Sequence, residues 1–327
     1  FWPLSTSDMP KQFLKLLGNK SLLRLTIDRL LKISNIDNIF LVTSKKYKDL
    51  IHIEIPEIPD DNILYEPSAR NTTAAIYYSL KKISFKDSTS IIGVYPADHF
   101  IKKESEFISS VSDAYRLIEN DKDRIYTFGI KPNYPSTSYG YIKCKSNTND
   151  SSKVNRFYEK PDLDNAKSMV ASNDYVWNSG MFFFNIDTML NEINSFVPKM
   201  KSLFASIDVN KYQQVISIWD DIPKISIDYA VMEKTKKAYC IKADCDWTDI
   251  GTWVSLYNLL DKDKEGNVFK GNVVSFKASN NLAITEKSNI GIVGLDNIAV
   301  VEYNNQILVI NLSDSESVRK IIDKLKK

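Results

Sequence analysis

A short apolar run that ends at a proline is the feature that most constrains the fold of this chain. Residues 91–95 are Ile-Ile-Gly-Val-Tyr, and the residues Pro-Ala-Asp-His follow directly at 96–99. Such a run is typical of a central strand that is buried on both faces of a sheet. Because proline cannot donate a hydrogen bond to a neighbouring strand, we expect the strand to end at Pro96.

This prediction places Asp98 just beyond the carboxyl end of a strand. Open α/β sheets bind their ligands at that edge, and a carboxylate there can hold a divalent cation against phosphate groups. A purely structural interpretation is also open, because an aspartate in this position can cap a turn or the next helix. Asp98 is therefore a candidate metal ligand.

Strands and helices alternate through the first 130 residues. The pattern predicts strands at residues 39–43, 63–65, 91–95 and Ile125–Ile130, and helices at residues 21–32, 72–83 and 105–120. Later strands are predicted at residues 139–144, 154–159 and Tyr175–Asn185, with a polar loop at 146–153. Alternation of this kind indicates an α/β fold with a mostly parallel sheet and helices on both faces.

A charged, turn-rich segment at residues 261–266 marks a predicted domain boundary. Short β-rich pieces recur beyond it, at Val273–Phe276, 282–285, Ile290–Val293, 298–301 and 307–310. Their near-even spacing fits a small β-solenoid or a sandwich. We therefore expect one domain over residues 1–260 and a second, β-rich domain over residues 261–327.

Composition excludes several classes of protein. The chain has 43 Lys plus Arg against 41 Asp plus Glu, and this balance gives no basic surface for nucleic acid or an anionic membrane. No apolar run approaches the roughly 20 residues of a membrane helix. Three cysteines form no disulfide framework and suit the reducing cytoplasm, and with two histidines they argue against a zinc site.

Two loops carry residues suited to a nucleotide. Lys11 follows Pro10 in the loop before the first helix, where its ammonium group can offset phosphate charge, although a lone lysine can equally be solvated. The segment 66–72 contains Glu66, Arg70, Asn71 and Thr72 between a strand and a helix. Polar groups there can contact a base edge, whereas in the structural interpretation Asn71 or Thr72 simply caps the helix.

Two further segments suit a sugar phosphate. Glu159 and Lys160 end a strand before Pro161, and adjacent strand residues point to opposite faces, so we do not expect an easy surface ion pair between them. Together they offer an acceptor for hydroxyls and a cation for phosphate; two solvated surface charges are the alternative. Asn178 and Gly180 interrupt an apolar strand, where an amide can serve vicinal hydroxyls.

A second carboxylate precedes a helix in the segment Asp-Trp-Thr-Asp-Ile-Gly-Thr-Trp at residues 246–253. Asp246 or Asp249 can be an N-cap. If Asp249 instead faces Asp98, the two carboxylates form a divalent-metal site of the kind that phosphoryl-transfer enzymes use.

Taken in order, these segments resemble bacterial mannose-1-phosphate guanylyltransferases (GDP-mannose pyrophosphorylases). The matching segments are residues 2–4, 10–14, 66–72, 96–99, 128–130, 139–142, 159–161, 177–182, 226–234 and 247–253. The resemblance spans nearly the whole chain and implies a Rossmann-like nucleotide-diphospho-sugar transferase domain. A short left-handed β-helix-like domain is implied after it, and a homodimer.

The resemblance also implies the reaction GTP plus mannose 1-phosphate to GDP-mannose plus pyrophosphate, by direct in-line transfer. It assigns Mg²⁺ to Asp98 and Asp249, the triphosphate charge to Lys11, and the mannose phosphate to Lys160. Hydroxyls of mannose are assigned to Glu159, Asn178 and the Gly140 backbone, and guanine to the 66–72 loop. Two alternatives stay open: another sugar-1-phosphate nucleotidyltransferase, and a non-catalytic GDP-mannose sensor on the same fold.

Three features depart from the family pattern. The family's glycine-rich, arginine-containing loop directly precedes the segment at residues 2–4, so it is missing from a chain that starts at Phe1. We expect the natural protein to extend upstream by a short strand and this loop. Thr6 and Ser138 replace an arginine and a glycine of the pattern. The metal-dependent isomerase domain of bifunctional members is not expected in the remaining length.

Overall fold

The computed structural model describes residues 1–144 and 151–325. Its chain divides into two compact units. The smaller unit consists of Phe1–Asp28, Ala97–Phe100 and Thr248–Lys327, and the larger of Arg29–Pro96 and Ile101–Trp247. The boundary predicted between residues 260 and 261 stays a prediction. Across the described residues, the structure contains no helix with the length and apolar character needed to cross a bilayer.

Helices in the described residues are α1 Leu22–Leu30, α2 Lys48–Glu54, α3 Asn71–Ser84, α4 Glu104–Asn120, α5 Leu163–Ser172, α6 Ile186–Phe196, α7 Pro198–Ala205, α8 Tyr212–Trp219, α9 Trp253–Leu259 and α10 Val318–Leu325. Strands are β1 Leu41–Ser44, β2 Ile63–Glu66, β3 Ile91–Val94, β4 Phe100–Ile101, β5 Ile125–Ile130, β6 Tyr141–Cys144, β7 Ser152–Tyr158, β8 Tyr175–Asn185, β9 Ala238–Lys242, β10 Trp247–Thr248, β11 Val268–Lys270, β12 Val273–Phe276, β13 Leu282–Ile284, β14 Ile290–Val293, β15 Ile298–Tyr303 and β16 Gln306–Asn311. β5, β8, β12 and β14 have the bounds that the sequence predicts, whereas α2, β9 and β11 were not predicted.

The larger unit is built on a mixed six-stranded sheet. Its order is β3-β8-β5-β9-β7-β6, and β6 also pairs with β8. β1 and β2, like β5 and β9, run parallel, as an α/β fold predicts. β8, however, is antiparallel to β3, β5 and β6. Hydrophobic patterning does not encode strand direction, because a buried strand reads the same in parallel and antiparallel pairs.

β3 differs from its prediction in position and in burial. It ends the six-stranded sheet in the described residues and pairs there with β8, so it is not central. Its residues are half-buried rather than fully buried. The run does end before Pro96, and Asp98 follows it, as predicted. An edge position explains the burial, since one side of such a strand is not covered by a neighbouring strand.

Two apolar clusters fill the larger unit on the faces of the sheet. One contains Phe128, Phe183 and Phe107, and the rings of Phe128 and Phe183 lie 4.5 Å apart. The other packs β8 and β9 against α3, α6 and α8. Two of the three cysteines, Cys144 and Cys240, belong to this second cluster, and all three are buried free thiols. These clusters hold the strand ends that carry the candidate sugar site.

The carboxyl-terminal part of the smaller unit stacks short parallel strands. β11, β13 and β15 are parallel to one another, as are β12 and β14. Buried asparagines link successive turns: Asn281 donates its N–H to Asn267 Oδ1 at 3.0 Å, and Ile298 donates to Asn281 Oδ1 at 3.0 Å. Repetition of this kind is typical of a solenoid rather than a sandwich.

The polar loop predicted at residues 146–153 falls partly outside the described residues. β7 begins at Ser152, within the predicted loop, and it ends at Tyr158. This end places Glu159 and Lys160 directly after the strand, where the candidate site begins.

Candidate functional site

The predicted site residues fall into two sets, one in each unit. Lys11, Asp98 and Asp249 belong to the smaller unit. Lys11 Nζ lies 2.8 Å from Asp98 Oδ2 and also donates to the main-chain carbonyl of Asp249. One ammonium group therefore holds together the two segments that were predicted, from different parts of the sequence, to carry metal ligands.

The structure excludes the N-cap interpretation of Asp249. The N-cap of α9 is Thr252, whose hydroxyl accepts from the Ser255 N–H at 3.2 Å, while Ser255 Oγ accepts from the Thr252 N–H at 3.0 Å. The Asp249 carboxylate instead lies over Gly251, where an added methyl group would meet Oδ2 at 2.9 Å. The glycine thus leaves room for that carboxylate.

The donor set in the smaller unit fits a hard divalent cation. The segments that carry the carboxylates of Asp98 and Asp249 meet at Lys11, which contacts the Asp98 carboxylate and the main-chain carbonyl of Asp249. Among residues 1–144 and 151–325, no three His, Cys, Asp or Glu side chains gather into a metal cage. Mg²⁺ does not need one, because it commonly binds one or two carboxylates and takes its other ligands from water and substrate phosphates.

Glu159 and Lys160 form the ion pair that strand alternation argued against. Lys160 Nζ lies 3.0 Å from Glu159 Oε1. The expectation was wrong because β7 ends at Tyr158 and Lys160 has a left-handed backbone, with φ of 48°. The Lys160 side chain is 62% exposed and that of Glu159 is 16% exposed. A largely exposed ammonium beside a shielded carboxylate suits a ligand that carries both phosphate and hydroxyls.

Gly140 and Asn178 meet Glu159 on its other side. A methyl group on Gly140 would lie 2.6 Å from Glu159 Oε2, and the Asn178 N–H donates to the Gly140 carbonyl at 2.8 Å. The pairing of β5 with β8 shifts register between Thr127 and Gly129, which pair with Phe182 and Asn178, and this marks a bulge in β8 next to Asn178. Bulges re-aim side chains out of a sheet, and this one explains the amide in an otherwise apolar strand.

Asp228 is a residue of this site that sequence reasoning missed. Its carboxylate Oδ1 accepts from Asn178 Nδ2 at 2.8 Å. Burial and the nearby charge of Glu159 raise the pKa of Asp228, and the same two causes raise the pKa of Glu233. The available signal was an aspartate inside the apolar run at residues 225–232.

A cavity of about 480 Å³ opens beside this set of carboxylates. Glu159, Glu233, Arg156 and Tyr158 line it, and the Arg156 guanidinium lies 4.7 Å from the centre of the Tyr158 ring. Carboxylates beside an aromatic ring form surroundings that accept hydrogen bonds from hydroxyls and pack against a carbon face.

The 66–72 loop does not cap α3 as the structural interpretation predicted. The N-cap residue is Arg70, with no side-chain hydrogen bond to the helix. Thr72 Oγ1 accepts from the Ile227 N–H at 2.9 Å, and Asn71 begins the helix with a left-handed φ of 65°. Arg70 pairs with Asp220 Oδ1 at 2.5 Å and donates to the Ile222 carbonyl at 3.4 Å. Both contacts tie the loop to the segment after α8.

Glu66 stands at the end of β2 with a perturbed acidity. Burial raises the pKa of its carboxyl group to about 7. A carboxyl group with this pKa changes its charge near neutral pH. It can accept hydrogen bonds from N–H groups of a base most fully when it is ionised.

Comparison with known proteins identifies the family. The family model described as nucleotidyl transferase matches residues 1–266. A Salmonella montevideo protein named mannose-1-phosphate guanylyltransferase is 36% identical over 339 residues, which cover 99% of this chain and 71% of that protein. The chain belongs to the mannose-1-phosphate guanylyltransferase family.

Other known proteins are similar over nearly the whole chain. The Escherichia coli mannose-1-phosphate guanylyltransferase is 33% identical over 99% of this chain and 72% of its own. The Xanthomonas campestris xanthan biosynthesis protein XanB is 34% identical over 99% and 70%. A Thermus thermophilus structure, described as a mannose-1-phosphate geranyltransferase, superposes with a TM-score of 0.88 at 25% identity, over 100% of this chain and 96% of that one. The predicted family and the α/β transferase fold are confirmed.

Proposed function

We propose that this enzyme converts GTP and mannose 1-phosphate into GDP-mannose and pyrophosphate. The observation that carries the proposal is the similarity to proteins of that name, at 36% identity over 99% of the chain. In the reaction, a phosphate oxygen of the sugar phosphate attacks the α-phosphorus of GTP. The bond from that phosphorus to the oxygen of the β-phosphate breaks, and pyrophosphate leaves.

We propose Mg²⁺ as the divalent cation, held by Asp98 and Asp249. When bound, it would offset negative charge on the phosphate oxygens. The side chains of the chain itself do the positioning. Lys11 brings a positive charge to the same point, where it can offset triphosphate charge. No side chain forms a covalent bond to substrate in this scheme, so catalysis rests on orientation and charge stabilisation.

A pyrophosphate-release assay tests the proposal. With mannose 1-phosphate fixed, GTP should support turnover while UTP, dTTP and CTP should be poor substrates. A preference for another nucleotide or another sugar 1-phosphate would instead support the alternative nucleotidyltransferase. Tight GDP-mannose binding without any release of pyrophosphate would support a sensor.

Lys160 is proposed to hold the phosphate of mannose 1-phosphate. Lys160→Ala should raise the KM for mannose 1-phosphate by about ten- to a hundredfold, because a charge-assisted contact contributes about 1.5–3 kcal/mol. The KM for GTP should stay within about twofold. Lys167→Ala, which removes an exposed lysine of α5, is the matched control. A selective rise in the KM for GTP would show that Lys160 serves the other substrate.

Glu66 is proposed to accept hydrogen bonds from guanine N–H groups. Because its pKa is raised to about 7, the carboxylate form is favoured above that pH and lost below it. The KM for GTP should therefore rise by about tenfold as the pH falls from 8 to 6. Glu66→Gln should flatten this dependence, and since GTP titrates equally with both enzymes, the difference isolates Glu66. Parallel profiles for the two enzymes would refute the assignment.

We also propose that the carboxyl-terminal solenoid is left-handed and β-helix-like. The protein is further proposed to be a homodimer. Phe276 and Val293 pair side by side on β12 and β14 and are 63% and 68% exposed. This apolar pair supports an interface with a second copy of the chain. Light scattering should give a dimer, and Phe276→Glu with Val293→Glu should give a monomer. Ile53→Glu, at another exposed apolar position, should leave the dimer intact. A monomeric unmodified protein would contradict the proposed dimer.

The cytoplasmic location stays a prediction.

A further inference from the structure

The carboxylate of Asp228 occupies a position that the proposed reaction does not use. Asp228 begins a one-turn π-helix, Asp228–Met232, and its neighbours Ala230 and Val231 are fully buried. Short π-helical turns are uncommon and often mark functional sites. A partly buried carboxylate in such apolar surroundings loses hydration, which is costly unless the group has a defined partner.

Asn178 is that partner, and its amide is fixed from both ends. The Gly180 N–H can only donate, so the atom it faces at 3.1 Å is Asn178 Oδ1. Asn178 Nδ2 therefore faces the Asp228 carboxylate, at 2.8 Å. A rotated amide would put an N–H against the Gly180 N–H and an oxygen against the carboxylate. Two contacts of fixed polarity thus permit one orientation.

This orientation leaves one N–H of Asn178 for a ligand. The amide nitrogen carries two hydrogens, of which Asp228 takes one. The nitrogen lies 3.7 Å from the point where a methyl group on Gly140 would stand, and Glu159 Oε2 lies 2.6 Å from the same point. A donor and a carboxylate acceptor therefore border the small space over Gly140. A hydroxyl group can accept from the first and donate to the second.

The charges around Asp228 also favour a positioning role. Glu159 faces it with a like charge, and Lys160, ion-paired to Glu159, opposes that repulsion. Two carboxylates that repel each other would be unfavourable in an apolar core. The arrangement keeps an acceptor oxygen beside the Asn178 amide although burial and Glu159 raise the pKa of Asp228.

We propose that Asp228 is a positioning residue that orients the Asn178 amide so that its second N–H and the Glu159 carboxylate together recognise one hydroxyl of the sugar substrate. This inference rests on the proposed function and adds to it a residue that selects the sugar. Asp228 itself does not touch the substrate. Its removal should therefore affect one hydroxyl of the sugar phosphate and leave the nucleotide unaffected.

Steady-state kinetics of Asp228→Ala and Asp228→Asn test the inference, with Glu192→Gln as control. Glu192 is a shielded carboxylate of the same unit, paired with Lys237 at 3.2 Å. Asp228→Ala should lower kcat/KM for mannose 1-phosphate by about ten- to a hundredfold, with the KM for GTP within about twofold. Asp228→Asn keeps an acceptor oxygen and should recover most of the loss. Glu192→Gln should leave both constants unchanged.

Deoxy analogues of mannose 1-phosphate distinguish positioning from a structural role. The unmodified enzyme should discriminate against one of the 2-, 3- and 4-deoxy analogues by about tenfold or more, and Asp228→Ala should lose that discrimination. Asn178→Ala should lose it for the same analogue, and the double variant should be no worse than Asn178→Ala.

Other results of these measurements would overturn the inference alone or the proposed function with it. Unchanged discrimination in a folded Asp228→Ala, or in Asp228→Asn if the alanine variant does not fold, would overturn the inference while leaving the proposed function intact. A loss of kcat/KM for GTP as large as the loss for mannose 1-phosphate would also overturn the inference. An unmodified enzyme that releases no pyrophosphate with any sugar 1-phosphate would overturn the proposed function and this inference together.

Discussion

Replacing Asp98 or Asp249 by asparagine is expected to lower kcat by about a thousandfold while the protein stays folded. Each change removes one proposed carboxylate ligand from the two segments that Lys11 connects. Loss of a metal ligand costs several kcal/mol of transition-state stabilisation, and a thousandfold corresponds to about 4 kcal/mol. Pyrophosphate release under saturating GTP, mannose 1-phosphate and Mg²⁺ measures the effect.

Asp246→Asn is the matched control for this loss. Asp246 comes three residues before Asp249 in the sequence, but its carboxylate pairs with Lys103 Nζ at 3.4 Å. Its removal should change kcat by less than about twofold. The Asp98–Lys11 pair is partly exposed, so its loss should cost no more than about 1 kcal/mol of folding stability. Near-normal turnover of Asp98→Asn and Asp249→Asn would remove the metal assignment.

The sequence motifs predicted which segments come together better than they predicted the individual side-chain contacts. Lys11, Asp98 and Asp249 were chosen from three distant segments, and the structure brings them to one ammonium group. Residue type was sufficient to choose these three segments, and their role as a metal site stays a prediction. The bounds of β5 and β8 also agreed, since both are apolar runs that end at polar or turn-forming residues.

Backbone conformation and long-range pairing were not readable in the same way. The left-handed φ of Lys160, which turns it back onto Glu159, leaves no pattern in the sequence. Asp228 meets Asn178 across 50 residues, and nothing local to either residue indicates the other. The N-cap of α9 was different, because a threonine directly before an apolar helical run, such as Thr252 here, is a recognisable N-terminal signal. This signal is sufficient to exclude Asp249 as the N-cap of α9.

Lys11→Ala is expected to lower kcat/KM for GTP by about a hundredfold. Without the ammonium group, the Asp98 carboxylate and the Asp249 carbonyl would face the triphosphate with no positive side chain between them. Loss of one preorganised donor at such a point costs about 2.7–4 kcal/mol in comparable sites, and a hundredfold loss is about 2.7 kcal/mol. The effect should be larger on GTP than on mannose 1-phosphate.

Lys15→Ala separates this role from a general effect of loop charge. Lys15 is an exposed lysine four residues further along the same loop, and its removal should leave kcat/KM for GTP within about twofold. Thermal unfolding of both variants should stay close to that of the unmodified protein, because a partly exposed ion pair contributes little to stability. If Lys11→Ala instead lowered the melting temperature strongly and kept its turnover, Lys11 would serve to hold the two acidic segments together, and the charge on the triphosphate would have to be offset by another group.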